Sequence, residues 1–147
     1  MRLTTFTDYS LRVLIYLQAK REGRATIAEV ARAFDVSEHH LVKVVHLLGR
    51  KGILENTRGR RGGLKLARPA REINLGALVR MTEAGDIAAE CFDREANRCV
   101  LAGGCRLERI LKEAVDSFYG ALAQYSVADL AAAPRKLRLL LRAAGSF

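Results

Sequence analysis

The chain has 147 residues, half of them hydrophobic, which suits one domain with a packed core and argues against wholesale disorder. Lys and Arg number 25 against 16 Asp and Glu, a formal net charge of +9. The excess is uneven, since residues 1–75 carry 15 basic and 7 acidic side chains while residues 76–147 carry 10 and 9, so the front half is expected to meet a polyanion. No sustained apolar h-region follows Met1, and the run Val13 to Leu17 is far shorter than the ~20 residues of a membrane span. Three cysteines are an odd number. The expectation is a cytoplasmic protein with no membrane partner and no disulfide framework.

In chain order, Tyr9, Val13, Tyr16 and Leu17 recur at helical spacing, predicting a helix from about Thr7 to Lys20, with Thr7 as its cap and Asp8 favouring its positive end. Thr26-Ile27-Ala28-Glu29 has the form of a capping box opening a short helix through Phe34. Asp35-Val36 makes a turn, and Ser37 caps a third helix to about Arg50 with the apolar stripe Leu41, Val44, Val45 and Leu48. Gly52 closes it. Ile53 to Thr57 and Leu64 to Leu66 read as two strands around the basic loop Arg58-Gly59-Arg60-Arg61-Gly62-Gly63, a β-hairpin. A fourth helix is expected over Leu75 to Thr82. From Cys105 to about Tyr125, Leu107, Leu111, Ala114, Phe118, Ala121 and Tyr125 form a heptad seam, and Ser126 caps a short final helix.

Three helices followed by a hairpin with a basic tip is the order of a winged helix-turn-helix. The expected fold is mostly α, with a two-stranded β-hairpin wing and a long C-terminal dimerisation helix. The expected divisions are 1–84 for DNA binding, 85–105 for an irregular cysteine loop, and 105–147 for the dimerisation helix and C-terminal helix. A seam on a helix trailing a small domain is most simply covered by a second copy, hence a homodimer.

The first turns of the third helix carry the side chains that reach base edges in such a fold. Ser37, His39 and His40 can hydrogen-bond base edges, and Lys43 can reach guanine acceptors or phosphate. Arg58, Arg60 and Arg61 suit a narrow minor groove or its flanking phosphates. Singly, each is a solvated surface charge. Together, in this order, they predict binding to double-stranded DNA. Cys91, Cys99 and Cys105, spaced C-x7-C-x5-C, match neither a zinc ribbon nor a redox C-x-x-C pair, and spacing alone leaves inert thiols and a metal centre both open.

Four stretches carry a resemblance: the opening Met1-Arg2-Leu3-Thr4-Thr5-Phe6-Thr7-Asp8-Tyr9-Ser10-Leu11-Arg12, the helix residues Val36-Ser37 with Leu41-Val42-Lys43, the wing Arg58-Gly59 with Gly62-Gly63-Leu64, and Cys105-Arg106-Leu107. They closely resemble the nitric-oxide-sensing repressors of the winged-helix family that also contains the iron–sulfur regulator IscR. The similarity runs over essentially the whole chain. It implies a homodimeric repressor of a palindromic operator whose Cys91, Cys99 and Cys105 hold an iron–sulfur cluster, [4Fe–4S] ahead of [2Fe–2S], with nitric oxide as the signal that releases DNA. The fourth ligand it implies is Asp8, in the phrase Phe-Thr-Asp, offered from the other subunit; by its residue type alone Asp8 is a helix-end stabiliser. Glu108 stands where IscR-like relatives have a histidine and is the reserve ligand. The seven residues between Cys91 and Cys99 exceed the gap in some relatives and leave cluster type open.

Three other readings stand beside this one: a regulator of cluster supply or redox state, a cluster-free or zinc-bound DNA binder, and a thiol-dependent oxidoreductase. Against the last, His39, His40 and His46 are the only histidines and all lie on the reading helix. No Cys–His dyad, phosphate loop or dinucleotide fingerprint is evident, so no catalytic residue is expected.

Overall fold

The structure, a computed structural model, describes residues 2–20, 23–57, 59, 62–83, 92, 97–101, 104–132 and 134–143. Helix α1 (Thr5–Ala19) is the centre of the core: its Val13, Leu14, Tyr16 and Leu17 are essentially inaccessible to solvent. Against it pack α2 (Ile27–Phe34), α3 (Glu38–Arg50), α4 (Leu75–Thr82) and α6 (Pro134–Ala143). The stripe Leu41, Val44, Val45 and Leu48 faces this core as its spacing predicts.

Local chemistry sets the boundaries. In α2 the capping box closes in both directions, Glu29 N–H donating to Thr26 Oγ1 at 3.1 Å and Thr26 N–H to Glu29 Oε2 at 2.6 Å. Asp35 then adopts the left-handed conformation (φ 50°), which Asp tolerates better than most residues, and turns the chain sharply into α3. Gly52, at φ 65°, supplies the positive φ that ends α3. Thr26→Ala removes half of the box and is expected to cost about 1 kcal/mol, or ~3 °C in the melting temperature. Burial tends to raise the Glu29 carboxyl pKa, but hydrogen bonds from Lys20 and from Thr26 outweigh that and leave it below its ordinary value. Its stabilising contribution is therefore full above the ordinary glutamate range and fades as pH falls through the lowered folded value. Wild type and the alanine variant should both lose stability across that acid window, while the deficit of the variant, a lost backbone cap, persists through it.

The cap of α1 differs from expectation. Thr4, not Thr7, is the N-cap, accepting from the Thr7 amide at 3.2 Å. Thr7 is fully buried and donates to Thr82 Oγ1 at 2.8 Å, so its hydroxyl is committed to α4. The wing also gains a strand. β1 (Arg24–Ala25), β2 (Leu54–Thr57) and β3 (Gly63–Leu66) form an antiparallel sheet in the order β1-β3-β2, with Leu54 opposite Leu66 and Thr57 opposite Gly63.

Helix α5 spans Arg106–Leu122, with Cys105 as its N-cap, one residue later and three earlier than the expected Cys105 to Tyr125. Its seam is divided between two surfaces. Leu111 and Phe118 are half-buried, whereas Leu107 and Tyr125 are 59% and 55% exposed. The expected short final helix is a 3-10 turn, Val127–Ala131, with its own capping box, and α6 follows it. Val127 and Leu141 are buried in the same core as α1, so the segments after α5 return to the domain.

Candidate nucleic-acid interface and thiol site

With the stripe of α3 committed to the core, Ser37, Glu38, His39, His40 and Lys43 all lie exposed on its first turns. Ser37 occupies the N-cap position, yet its hydroxyl makes no capping hydrogen bond. The His40 ring lies 6.1 Å from the Tyr9 ring and 6.1 Å from that of His39. Tyr9, His40 and Lys43 border a cavity of about 330 Å³ between α1 and α3. His40 is thus positioned by α1 as well as displayed by α3, a contact that helical periodicity does not reveal. Arg58, Arg60 and Arg61 lie outside the described residues.

Asp8, in the first turn of α1, has a side chain 46% exposed and pairs with Arg12 at 2.8 Å. The Arg12 guanidinium also lies 5.6 Å from the centre of the Phe34 ring and 5.9 Å from that of Tyr9, geometry that fixes its direction. Ion pairs this exposed contribute little to stability, so the carboxylate can exchange partners at small cost. One turn earlier, Glu83 Oε1 accepts from both the amide (2.9 Å) and the hydroxyl (3.0 Å) of Thr4. Glu83 is the C-cap of α4 and is buried; the segment containing Cys91 follows it. This link joins the start of α1 to the root of the cysteine segment. Sequence reading missed Glu83 because a lone glutamate at a helix end carries no pattern.

Cys99 and Cys105 are free thiols, both half-buried. The Cys99 amide donates to Asn97 Oδ1 at 2.9 Å. Cys105 stands at the N-terminal end of α5, where the helix dipole favours negative charge, and its side chain makes no capping hydrogen bond. Gly104, Cys105, Glu108 and Arg109 border a cavity of about 340 Å³. Beyond Glu108 a wider cleft is flanked by Arg80, Lys112 and Asp116. The hydrogen bond from Lys112, aided by Arg80, holds the Asp116 carboxyl below its ordinary range.

Cys91 lies outside the described residues. Among the described residues no three Cys, His, Asp or Glu side chains gather, so Asp8, Cys99 and Cys105 do not form a joint donor set within one chain. The donor chemistry nevertheless suits an iron–sulfur group: Cys99 and Cys105 offer soft, half-buried sulfur, and Cys105 stands beside open space and a positive helix end.

A helix-turn-helix with its second helix exposed, followed by a hairpin wing, in a chain this basic, defines a winged-helix DNA-binding transcriptional regulator. The Rrf2 family, described as "Iron-dependent Transcriptional regulator", matches residues 3–133, and the chain belongs to it. The chain is 46% identical over 143 residues to the HTH-type transcriptional regulator NsrR of Geobacillus kaustophilus, covering 97% of each protein. It is 43% identical to NsrR of Shouchella clausii, covering 97% of this chain and 96% of that one. Among solved structures it is similar to CymR, the global cysteine regulator of B. subtilis, with a TM-score of 0.70 and 27% identity over 89% of this chain and 96% of that one. The family is one of regulators, not enzymes.

Proposed function

We propose that this regulator is a homodimeric repressor that senses nitric oxide through an iron–sulfur cluster held by Cys91, Cys99 and Cys105, with Asp8 contributed by the partner subunit. The observation that carries the reading is two free, half-buried thiols, Cys99 and Cys105, the second at the head of α5, in a DNA-binding chain whose family is described as iron-dependent. When bound, the cluster would supply iron at which nitric oxide can coordinate. The protein's own residues do the rest. The three thiols would hold the group in the 85–105 loop, and because soft sulfur exceeds a carboxylate oxygen in affinity for iron, Asp8 would be the exchangeable position. When not bound to such a group, Asp8 pairs with Arg12, whose guanidinium rests by Tyr9, and the Tyr9 ring lies near His40 on the proposed reading helix. Charge at the head of α1 is in this way coupled to α3, while Thr4 and Glu83 tie the same end of α1 to the root of the cysteine loop.

In the dimer, a second copy covers exposed apolar side chains among Leu107 and Ile110 of α5, Tyr125 just beyond it, and Leu139 and Leu140 of α6. Each cytoplasmic dimer sets two α3 helices into successive major grooves of a palindromic operator, Ser37, His39 and His40 facing the bases, Lys43 a phosphate, and Arg58, Arg60 and Arg61 the minor groove and phosphates. Lys43→Ala should weaken binding to every duplex and lower the slope of log affinity against log salt by ~0.9. The cofactor reading is tested by anaerobic purification with iron and acid-labile sulfide analysis. Coloured protein with equal iron and sulfide is expected, with about four irons per subunit for [4Fe–4S] against about two for [2Fe–2S]. Colourless, iron-free protein from cells competent in cluster assembly contradicts it.

A further inference from the structure

Burial of positions 41, 44, 45 and 48 of α3 turns the stripe at 39, 42, 43 and 46 outward. His39, Lys43 and His46 are at home in water there. Between them stands Val42, 50% exposed. A single surface valine ordinarily needs no explanation. This one is placed in the second turn of the helix after the helix-turn-helix bend, where base contacts are made. A protein partner covering Val42 would have to desolvate His39, Lys43 and His46 around it, an expensive arrangement without matching acceptors. A major groove asks for the opposite: phosphates and base acceptors for the polar heads, and one apolar group, the thymine 5-methyl, for the apolar centre. Val has a single strongly preferred χ1 in a helix, so such a contact costs little side-chain freedom.

We infer that Val42 is a specificity-determining residue that selects thymine at one position of each operator half-site through its methyl group. Having neither donor nor acceptor, its side chain leaves the cytosine amine unpaired and gains apolar contact only from thymine. The assignment rests on α3 being the reading helix. Loss of one buried methyl is expected to weaken binding about fourfold.

The test begins with duplexes selected by the full-length, anaerobically purified protein from a randomised pool. Each thymine of the best duplex is then replaced in turn by deoxyuridine, which lacks only the methyl group. Wild type and Val42→Ile should lose about fourfold at one thymine per half-site, and Val42→Ser should be indifferent at that same position. Uniform indifference of wild type to demethylation, or equal loss in wild type and Val42→Ser, overturns the assignment. Lys43→Ala, run in parallel, separates the two levels of the argument. If it weakens binding to all duplexes, α3 lies on DNA and a failed thymine test counts against Val42 alone. If it binds like wild type, the reading helix falls and Val42 with it.

Discussion

Gly76→Ala is expected to destabilise the protein by about 2–3 kcal/mol, although alanine is ordinarily the better helix former by about 1 kcal/mol. A Cβ at this position of α4 would stand 2.7 Å from the Tyr119 carbonyl oxygen, 2.8 Å from the Ala123 amide nitrogen and 3.0 Å from Ala123 Cα. All three are backbone atoms, so no rotamer change relieves the clash and α5 itself must move. The contact is held from both ends. Asn74 caps α4 by accepting from the Ala77 amide, and its Nδ2 donates to the Ala123 carbonyl at the end of α5. Leu75 N–H to Tyr125 O and Val127 N–H to Ile73 O, each 2.9 Å, stitch the following turn to the same place. Gly49→Ala is the control, since its Cβ meets only Leu54 O, at 3.9 Å. A fall of roughly 4–12 °C in the melting temperature for the first, and none for the second, is the expected outcome. Equal melting of Gly76→Ala and wild type would refute the close α4–α5 approach.

Cys105→Ser is expected to separate folding from cofactor binding. Serine is a preferred N-cap residue, and Cys105 occupies the N-cap of α5 without making a capping bond, so the cofactor-free variant should melt at or slightly above wild type, by up to about 1 kcal/mol. A serine oxygen is a poor ligand for iron, which sulfur suits far better. Iron content and visible absorbance should therefore drop to a small fraction of the wild-type values under anaerobic preparation. A thiol conserving only packing would show the reverse: iron unchanged and the melting temperature lowered. Cys99→Ser should follow Cys105→Ser in iron loss, and Asp8→Ala should retain colour while altering the rate at which nitric oxide bleaches it.

The elements that were legible in sequence are those whose signal is local. The Thr26–Glu29 box, the stripe of α3 and the Leu75–Thr82 helix need only neighbours a few residues away, and they stand where that chemistry puts them. Sequence alone points to Thr7 as the cap, but the cap is Thr4, and the choice is made by Glu83 and Thr82, far away in sequence, which take the Thr4 donors and the Thr7 hydroxyl. Strand β1 is two residues long, too short for any periodicity, and exists because β3 offers it an edge. The seam was visible as a repeat, but a repeat does not say that Leu111 and Phe118 become half-buried while Leu107 and Tyr125 stay outside. The exposed face of α3 could be read from spacing alone. The Asp8–Arg12 pair and the Tyr9–His40 contact required packing, because each joins groups that are unremarkable on their own elements.

The central claim is that the state of a thiol-held iron–sulfur group sets the grip on DNA. It is tested most directly by measuring, at one fixed salt concentration, the affinity of the same anaerobic preparation for its selected duplex in three states: loaded, stripped of iron, and treated with nitric oxide. Loaded protein should bind about a hundredfold more tightly than the other two, a difference of ~2.7 kcal/mol. Identical affinity in all three states would contradict the account.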